Sequence, residues 1–419
     1  MSAPAPKDLV SNPIRRGILE AVMKKQGAWL LVGVPFVMVL GNSMLIPVLP
    51  SLKKALGMST FQTGLVISLF SLAAGLSIPW AGLLADRVGR RRVLLPALAL
   101  YALGGLGAGF SCFLSPALAS TFLLLSRAVQ GVGAAGTAPV AMAMVGDLVQ
   151  GSKRSRVLGL FEASNGLGKI LSPLLGAAAG LIGFFWPFFL FPCFVFPLLI
   201  LLWWSVPEPE SRPQAASLEA YWEVLKGIGR RKGVWLAGIF LAGLTALLTL
   251  FGLLFFLSEY FETAWRIKGL GKGVLLAFPT GCTCLAAFLT GKLIKPGSGL
   301  PRLFALSGML LMALSFAGLI LSRQFGPLVL LSGLAGIGAG ATLSSLNTLA
   351  TSSAGPQARG LVTSLYGGVR FLGAASGPPL FGLLIPHSLP LTFGLTAALC
   401  LLSALALFLV KPEAAGLHP

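Results

Sequence analysis

Residues 156–180, RVLGLFEASNGLGKILSPLLGAAAG, carry two charges, Glu162 and Lys169, in a stretch that is otherwise apolar or small. Seven positions is about two helical turns, so both side chains fall on one side of a helix, roughly 10 Å apart along its axis, too far for a simple local ion pair. A lysine near a bilayer centre costs at least about 2.5 kcal/mol, and such residues face a bundle interior or a water-filled cavity. A carboxylate and an amine so placed are proton carriers. Glu162 reads either as a protonation switch or as a salt-bridge partner of Arg156 or a basic loop. Lys169 is a second proton-exchange candidate, because burial makes any lysine easier to deprotonate. Two further cations, Arg127 and Arg370, also stand inside apolar stretches. Three deep cations against one carboxylate suit an anionic or zwitterionic ligand better than a cationic one.

Other chemistry is hard to build from this chain. The five cysteines, Cys112, Cys193, Cys282, Cys284 and Cys400, lie in apolar surroundings without metal-ligand spacing and read as packing residues. The two histidines are His387 and His418. No nucleophile-base pair, phosphate loop or metal cluster is evident, so we expect no catalytic residue, no metal and no cofactor, and an embedded enzyme is disfavoured.

The elements that must position these charges are membrane helices. Of 419 residues, 56% are hydrophobic and 10% charged, and the mean hydropathy is +0.88. Runs of about 20 apolar residues recur along the chain, which excludes a porin and a single anchor. The class is an all-α polytopic protein with twelve spans, predicted near 29–50, 61–84, 93–114, 120–146, 157–182, 185–206, 234–257, 270–293, 301–322, 327–351, 360–385 and 389–410. This gives a segment 1–28, a six-helix bundle 29–206, a linker 207–233 with a short amphipathic helix over 218–228, a second bundle 234–410 and a tail 411–419. The formal charge of +19 would suggest nucleic acid binding in a soluble protein. Here most Lys and Arg fall on one side of the twelve-span layout, so the excess reads as the positive-inside asymmetry. Both termini and the linker are then cytoplasmic in a cell membrane, with membrane lipid rather than nucleic acid as partner. Residues 14–25 read as a short interfacial helix, no cleavable signal precedes the first span, and the chain reads as a monomer.

The halves look like copies. One constant offset carries Gly131 and Gly133 onto Gly336 and Gly338, Arg154 onto Arg359, Phe161 onto Tyr366, Gly168 onto Gly373 and Pro173 onto Pro378. An offset one residue longer carries GAWL at Gly27 onto GVWL at Gly233. Two parallel repeats place a substrate site between them near the bilayer midplane.

Three motifs carry a resemblance. After the second span, GLLADRVGRRR runs from Gly82 through Asp86, Arg87, Gly89, Arg90 and Arg91 to Arg92. It resembles the signature loop of the major facilitator superfamily, which implies a cytoplasmic charge network gating the two halves, with Asp147 as a further partner of the loop or of Lys153 and Arg154. The corresponding loop from Gly291 to Arg302 lacks the acidic residue. In the fourth span, Arg127, Gln130 and Gly131 resemble the family's R-x-x-Q-G motif, which implies either a part in proton transfer or a structural brace on neighbouring carbonyls. In the fifth, Gly168, Ser172, Pro173 and Gly176 resemble an exporter packing motif, departing from it at Ser172 and at Ala177, where the family has glycine; Gly377 and Pro378 are the counterpart in the eleventh span.

The resemblance implies a twelve-helix secondary transporter of the drug:proton antiporter branch, working by alternating access on a small molecule and on protons. One departure matters, since many members of that branch carry a carboxylate in the first helix where this chain offers Asn42. The expected function is therefore proton-coupled export of a small amphipathic, anionic or zwitterionic compound, with a flippase or facilitator for an anionic lipid as the rival. Candidate cavity residues are Asn42, Gln130, Asn165, Lys169, Asn347, Tyr366 and Arg370, with Thr245 and Thr249 as weaker ones. Glu259 and Glu262 read as solvated rim charges paired with Arg266 or Lys268.

Overall fold

A computed structural model describes residues 27, 29–149, 152–208, 218–294, 299–321, 324–353 and 359–410. The interfacial helix expected at 14–25 and the tail at 411–419 lie outside the described residues. All of the regular structure described is helical.

The first span is broken into α1 (Gly33–Ser43), a 3-10 turn (Ile46–Val48) and α2 (Leu49–Leu56). Proline lacks an N–H, so Pro50 cannot bond the carbonyl of Ile46. That oxygen accepts the Leu49 N–H of the 3-10 turn and, from the other half, the Ser258 hydroxyl at 2.5 Å. Helix α3 (Thr60–Val88) opens with a capping box in which Ser59 and Gln62 bond each other's backbone N–H at 3.1 and 2.8 Å. Next come α4 (Arg90–Ser111), α5 (Pro116–Ala135) and α6 (Ala138–Leu148). The fourth span, expected as one helix, breaks between α5 and α6, where Pro139 removes an internal hydrogen bond. Helices α7 (Ser152–Ile182) and α8 (Trp186–Ser205) complete the first half.

The second half begins with α9 (Leu218–Thr263), one helix of 46 residues. The expected amphipathic helix of the linker therefore runs without a break into the seventh span, since no proline falls inside it. Helices α10 (Gly269–Leu293), α11 (Leu300–Leu321), α12 (Phe325–Ser352), α13 (Arg359–Leu384) and α14 (Leu389–Leu409) follow. Eleven of the twelve passes are long and apolar enough to cross a membrane. The twelfth, α13, is long enough at 26 residues, but Arg370 and its small and polar residues dilute its apolar character.

The repeat seen in the sequence is a repeat of packing. A methyl added at Gly131 would lie 2.2 Å from the carbonyl of Phe70 on α3, and one at Gly336 would lie 2.2 Å from the carbonyl of Pro279 on α10. Gly133 presses on α4 at Tyr101, and Gly338 presses on α11 at Gly308. Across the seam the symmetry continues. Pro173 on α7 meets Gly273 of α10, and Pro378 on α13 meets Gly64 of α3, so each motif proline packs against a glycine of the opposite half. Close backbone approach through small residues is how helices gain contact in lipid, where no hydrophobic force drives them together. The pairs α3 with α13 and α7 with α10 form most of this seam.

Candidate substrate and coupling site

Arg127 is fully buried, and its guanidinium is spent on oxygen acceptors. Nε donates to Val66 O at 2.8 Å, one terminal nitrogen donates to Gly41 O at 2.7 Å and to Gln130 Oε1, and the other donates to Asn42 Oδ1 at 2.6 Å. The guanidinium also lies over the Phe70 ring, 4.6 Å from its centre. Asn42 Nδ2 donates to Ser71 Oγ at 3.4 Å. Beside them the Tyr101 hydroxyl donates to Met38 O at 2.7 Å and accepts the Gly41 N–H at 3.0 Å. The arginine thus ties the first, second and fourth passes through neutral acceptors, and Asn42 supplies an oxygen where a carboxylate was the family expectation. Asn42 and Gln130 both belong to this brace.

A different pair of cations faces the seam. Lys169 on α7 keeps part of its surface accessible although it sits deep in the bundle, as a residue lining an opening does. It lies within electrostatic range of Cys284, Arg370 and Glu162. Arg370, from the opposite half, is stacked over Tyr366 with its guanidinium carbon 5.4 Å from the ring centre. Neither cation has a carboxylate partner among the described residues, and the Arg370 Nε and the Tyr366 hydroxyl are buried without a hydrogen-bond partner. On the same helix, Ser172 is buried between Gly168 and Gly176, which press on the first-span backbone at Phe36 O and Met44 O. That face of α7 packs, while the face of Lys169 looks toward α10.

Glu162 is exposed and makes no ion pair among the described residues. The first turns of α7 are largely uncovered, so the charge is not held in the protein interior; among the described residues the buried carboxylate is Glu262. Asn165 is half-buried, and Asn347 is exposed. Thr245 and Thr249 are engaged inside the second half, Thr245 with Ser403 at 2.8 Å and Thr249 with the Thr245 carbonyl at 2.9 Å.

At the loop, Gly89 has φ of 114°, a conformation that favours glycine, and Gly82 lets α3 approach Ser364 of α13. Arg90 pairs with Asp147 at 2.5 Å and with Asp86 at 3.7 Å. Arg91 donates to the Trp203 carbonyl at 2.5 Å, whereas Arg87 is exposed. The Glu208 carboxylate caps the start of α4, accepting from the backbone N–H of Arg91 at 3.4 Å and of Arg92 at 3.3 Å. The ion-pair partners named here, Asp86, Arg90 and Asp147, belong to the first half, and Glu208 stands at the start of the linker.

The opposite rim corrects an expectation. Glu259 and Glu262 pair not with Arg266 or Lys268 but with lysines brought from elsewhere. Lys53 bonds Glu259, and Lys54 and Lys272 reach Glu262 at 3.5 and 2.8 Å. For Lys53 and Lys54 the reason is that the end of the first span lies against the end of the seventh, whereas Lys272 is a near neighbour of Glu262 in the chain, ten residues on at the start of α10. Lys53, Lys54, Lys272 and Glu208 all escaped the sequence reading, and Cys284 was read there only as a packing residue. A signal for the first existed, since Lys53 and Glu259 stand 206 positions apart, the offset that relates the first spans of the two halves.

Twelve membrane-length passes in two related halves, with unpaired cations on both sides of the seam, define a membrane transporter rather than an enzyme. The model of the Major Facilitator Superfamily matches residues 31–375 and 268–419. A relative from Bacillus subtilis (strain 168), the bacillibactin exporter, is 38% identical over 383 residues, covering 91% of this chain and 94% of that one. The multidrug efflux protein YfmO of the same organism is 25% identical over 372 residues, 85% of this chain and 86% of its own. Among solved structures, the human organic anion transporter MFSD10 (TETRAN) superposes with a TM-score of 0.70 at 21% identity, covering 92% of this chain and 99% of that one. A bacterial homolog of the human lysosomal transporter Spinster, in an inward-facing and occupied conformation, gives 0.72 at 17%, covering 95% and 97%. This chain belongs to the major facilitator superfamily.

Proposed function

We propose that this transporter is a proton-coupled exporter of a small amphipathic compound bearing negative charge, working as a monomer in the cell membrane with both termini in the cytoplasm. The observation that carries the reading is the pair Lys169 and Arg370, cations of opposite halves that no carboxylate neutralises among the described residues. An unpaired cation in low dielectric is costly, and an anionic ligand supplies the missing counter-charge. Export is supported by the two full-length relatives, both named for efflux, and the first compound to try is bacillibactin, after the nearer of them. Glu162 and Lys169 are the proton carriers in this reading, because Glu162 is open to water on the side of the charged loop and Lys169 stands between it and the seam. The Asp86 to Arg92 loop then gates the cytoplasmic side, and the Lys53 and Glu259 rim faces outward.

The test is flux in proteoliposomes under an imposed pH gradient, with bacillibactin and a cationic dye of similar size as cargoes. Bacillibactin should move against its gradient when protons flow the other way, and Glu162→Gln should leave downhill flux while abolishing the response to pH. Preference for the cationic dye, or equal flux with and without the gradient, would sink the proposal.

A further inference from the structure

Other cations inside the described residues have counter-groups. Arg127 has oxygen acceptors on all three nitrogens, Lys272 has Glu262 at 2.8 Å, and Arg90 has Asp147 at 2.5 Å. Lys169 and Arg370 are left without a carboxylate ion pair among the described residues, and, coming from different halves, they lie within electrostatic range of each other. Around them are the means to hold a ligand. The Arg370 guanidinium carbon lies over the Tyr366 ring, 5.4 Å from its centre, and the Arg370 Nε is buried without a hydrogen-bond partner. Guanidinium and ammonium groups together favour carboxylate-like oxygens, the first as a planar fork and the second as a point charge.

We propose that Lys169 and Arg370 hold one ligand between them, so that the transported class is an organic anion with at least two acidic groups rather than one. This rests on the reading of the seam as the substrate site. Empty, the two cations repel each other and hold the halves apart at this level; a dianion between them replaces repulsion with attraction on both sides. A ligand of one charge leaves one cation uncompensated. Substrate selection and closure then use the same two side chains.

The test measures binding, with no gradient, to the full chain in lipid nanodiscs. Probes are biphenyl-4-carboxylate, biphenyl-3,3'-dicarboxylate and biphenyl-4,4'-dicarboxylate, which share a scaffold and differ in charge number and spacing. The readout is protection of Cys284, whose Sγ lies 3.6 Å from Gly166 O beside the Lys169 face, in a chain whose other four cysteines are serine. At least one dicarboxylate should bind about tenfold more tightly than the monocarboxylate, a difference of one decade in Kd. Lys169→Gln and Arg370→Gln should each bring it down to the monocarboxylate level, where one cation–carboxylate contact remains, and the double variant should lose that contact as well and bind neither class of probe above background. Lys169→Arg and Arg370→Lys, which keep the charge, control for loss of fold. Equal affinity for one and two carboxylates, dicarboxylate affinity unchanged in either single variant, or no binding of either dicarboxylate would overturn the proposal. Proton-independent flux together with dicarboxylate preference would overturn only the coupling; proton-driven export of a singly charged compound would overturn only the two-cation site.

Discussion

A guanidinium sealed inside a membrane protein with only neutral acceptors is stable because every N–H it needs to place is placed. Arg127→Ala would leave the Val66 and Gly41 carbonyls, Asn42 and Gln130 unsatisfied around a cavity. Breaking a buried charged network of this kind costs about 3–5 kcal/mol. We expect a large fall in the melting temperature of the purified protein and a loss of flux that follows the loss of fold. A flux lost at wild-type stability would instead assign Arg127 to proton transfer. The sequence showed that Arg127 was deep and that Gln130 and Asn42 were polar, but not that the three touch, because they come from two helices 85 positions apart. For Glu162 it is the exposure that the sequence did not show. Depth counted along a helix says nothing of which face its neighbours cover, and α7 is uncovered there.

At the scale of the helix, small residues are the contacts. Gly131→Ala and Gly336→Ala each push a methyl to 2.2 Å from a backbone oxygen of the neighbouring helix, which calls for backbone shifts worth about 1–3 kcal/mol. Gly281→Ala, in α10 with nothing within 4 Å of the added atom, should be neutral or slightly stabilising by helix propensity, up to about 1 kcal/mol. Thermal unfolding in one detergent checks all three; equal effects at the three sites would show that helix propensity, not packing, governs. These contacts were legible as a repeat, since their spacing is periodic and their residue types are restricted. Helix breaks and mergers were less so. The Pro139 break had a visible cause, whereas the continuity of α9 depended on the absence of any breaker in a polar stretch that read as a linker.

For the whole molecule, the two ends of the seam are electrostatically unlike. One rim is closed by lysines of the first half on glutamates of the second, and among the described residues the loop rim keeps its ion pairs within the first half. Lys53→Glu should loosen the closed rim and raise the labelling of a cysteine placed below it. Glu259→Lys should do the same, and the double exchange should restore closure. For a pair this accessible the coupling is about 1 kcal/mol or less and fades with salt. Labelling unchanged by either single substitution would mean that the Ser258 to Ile46 bond and the packing around it close the rim unaided.

That rim has a further consequence, for ancestry. Lys53 and Glu259 occupy matching positions in the two copies of the repeat and meet across the pseudo-twofold axis. A symmetric pair built from two first halves would set lysine against lysine there, and one built from two second halves would set glutamate against glutamate. At this position the descendants of the duplicated unit have become complementary, so neither half can be replaced by a second copy of the other without placing like charges at the axis.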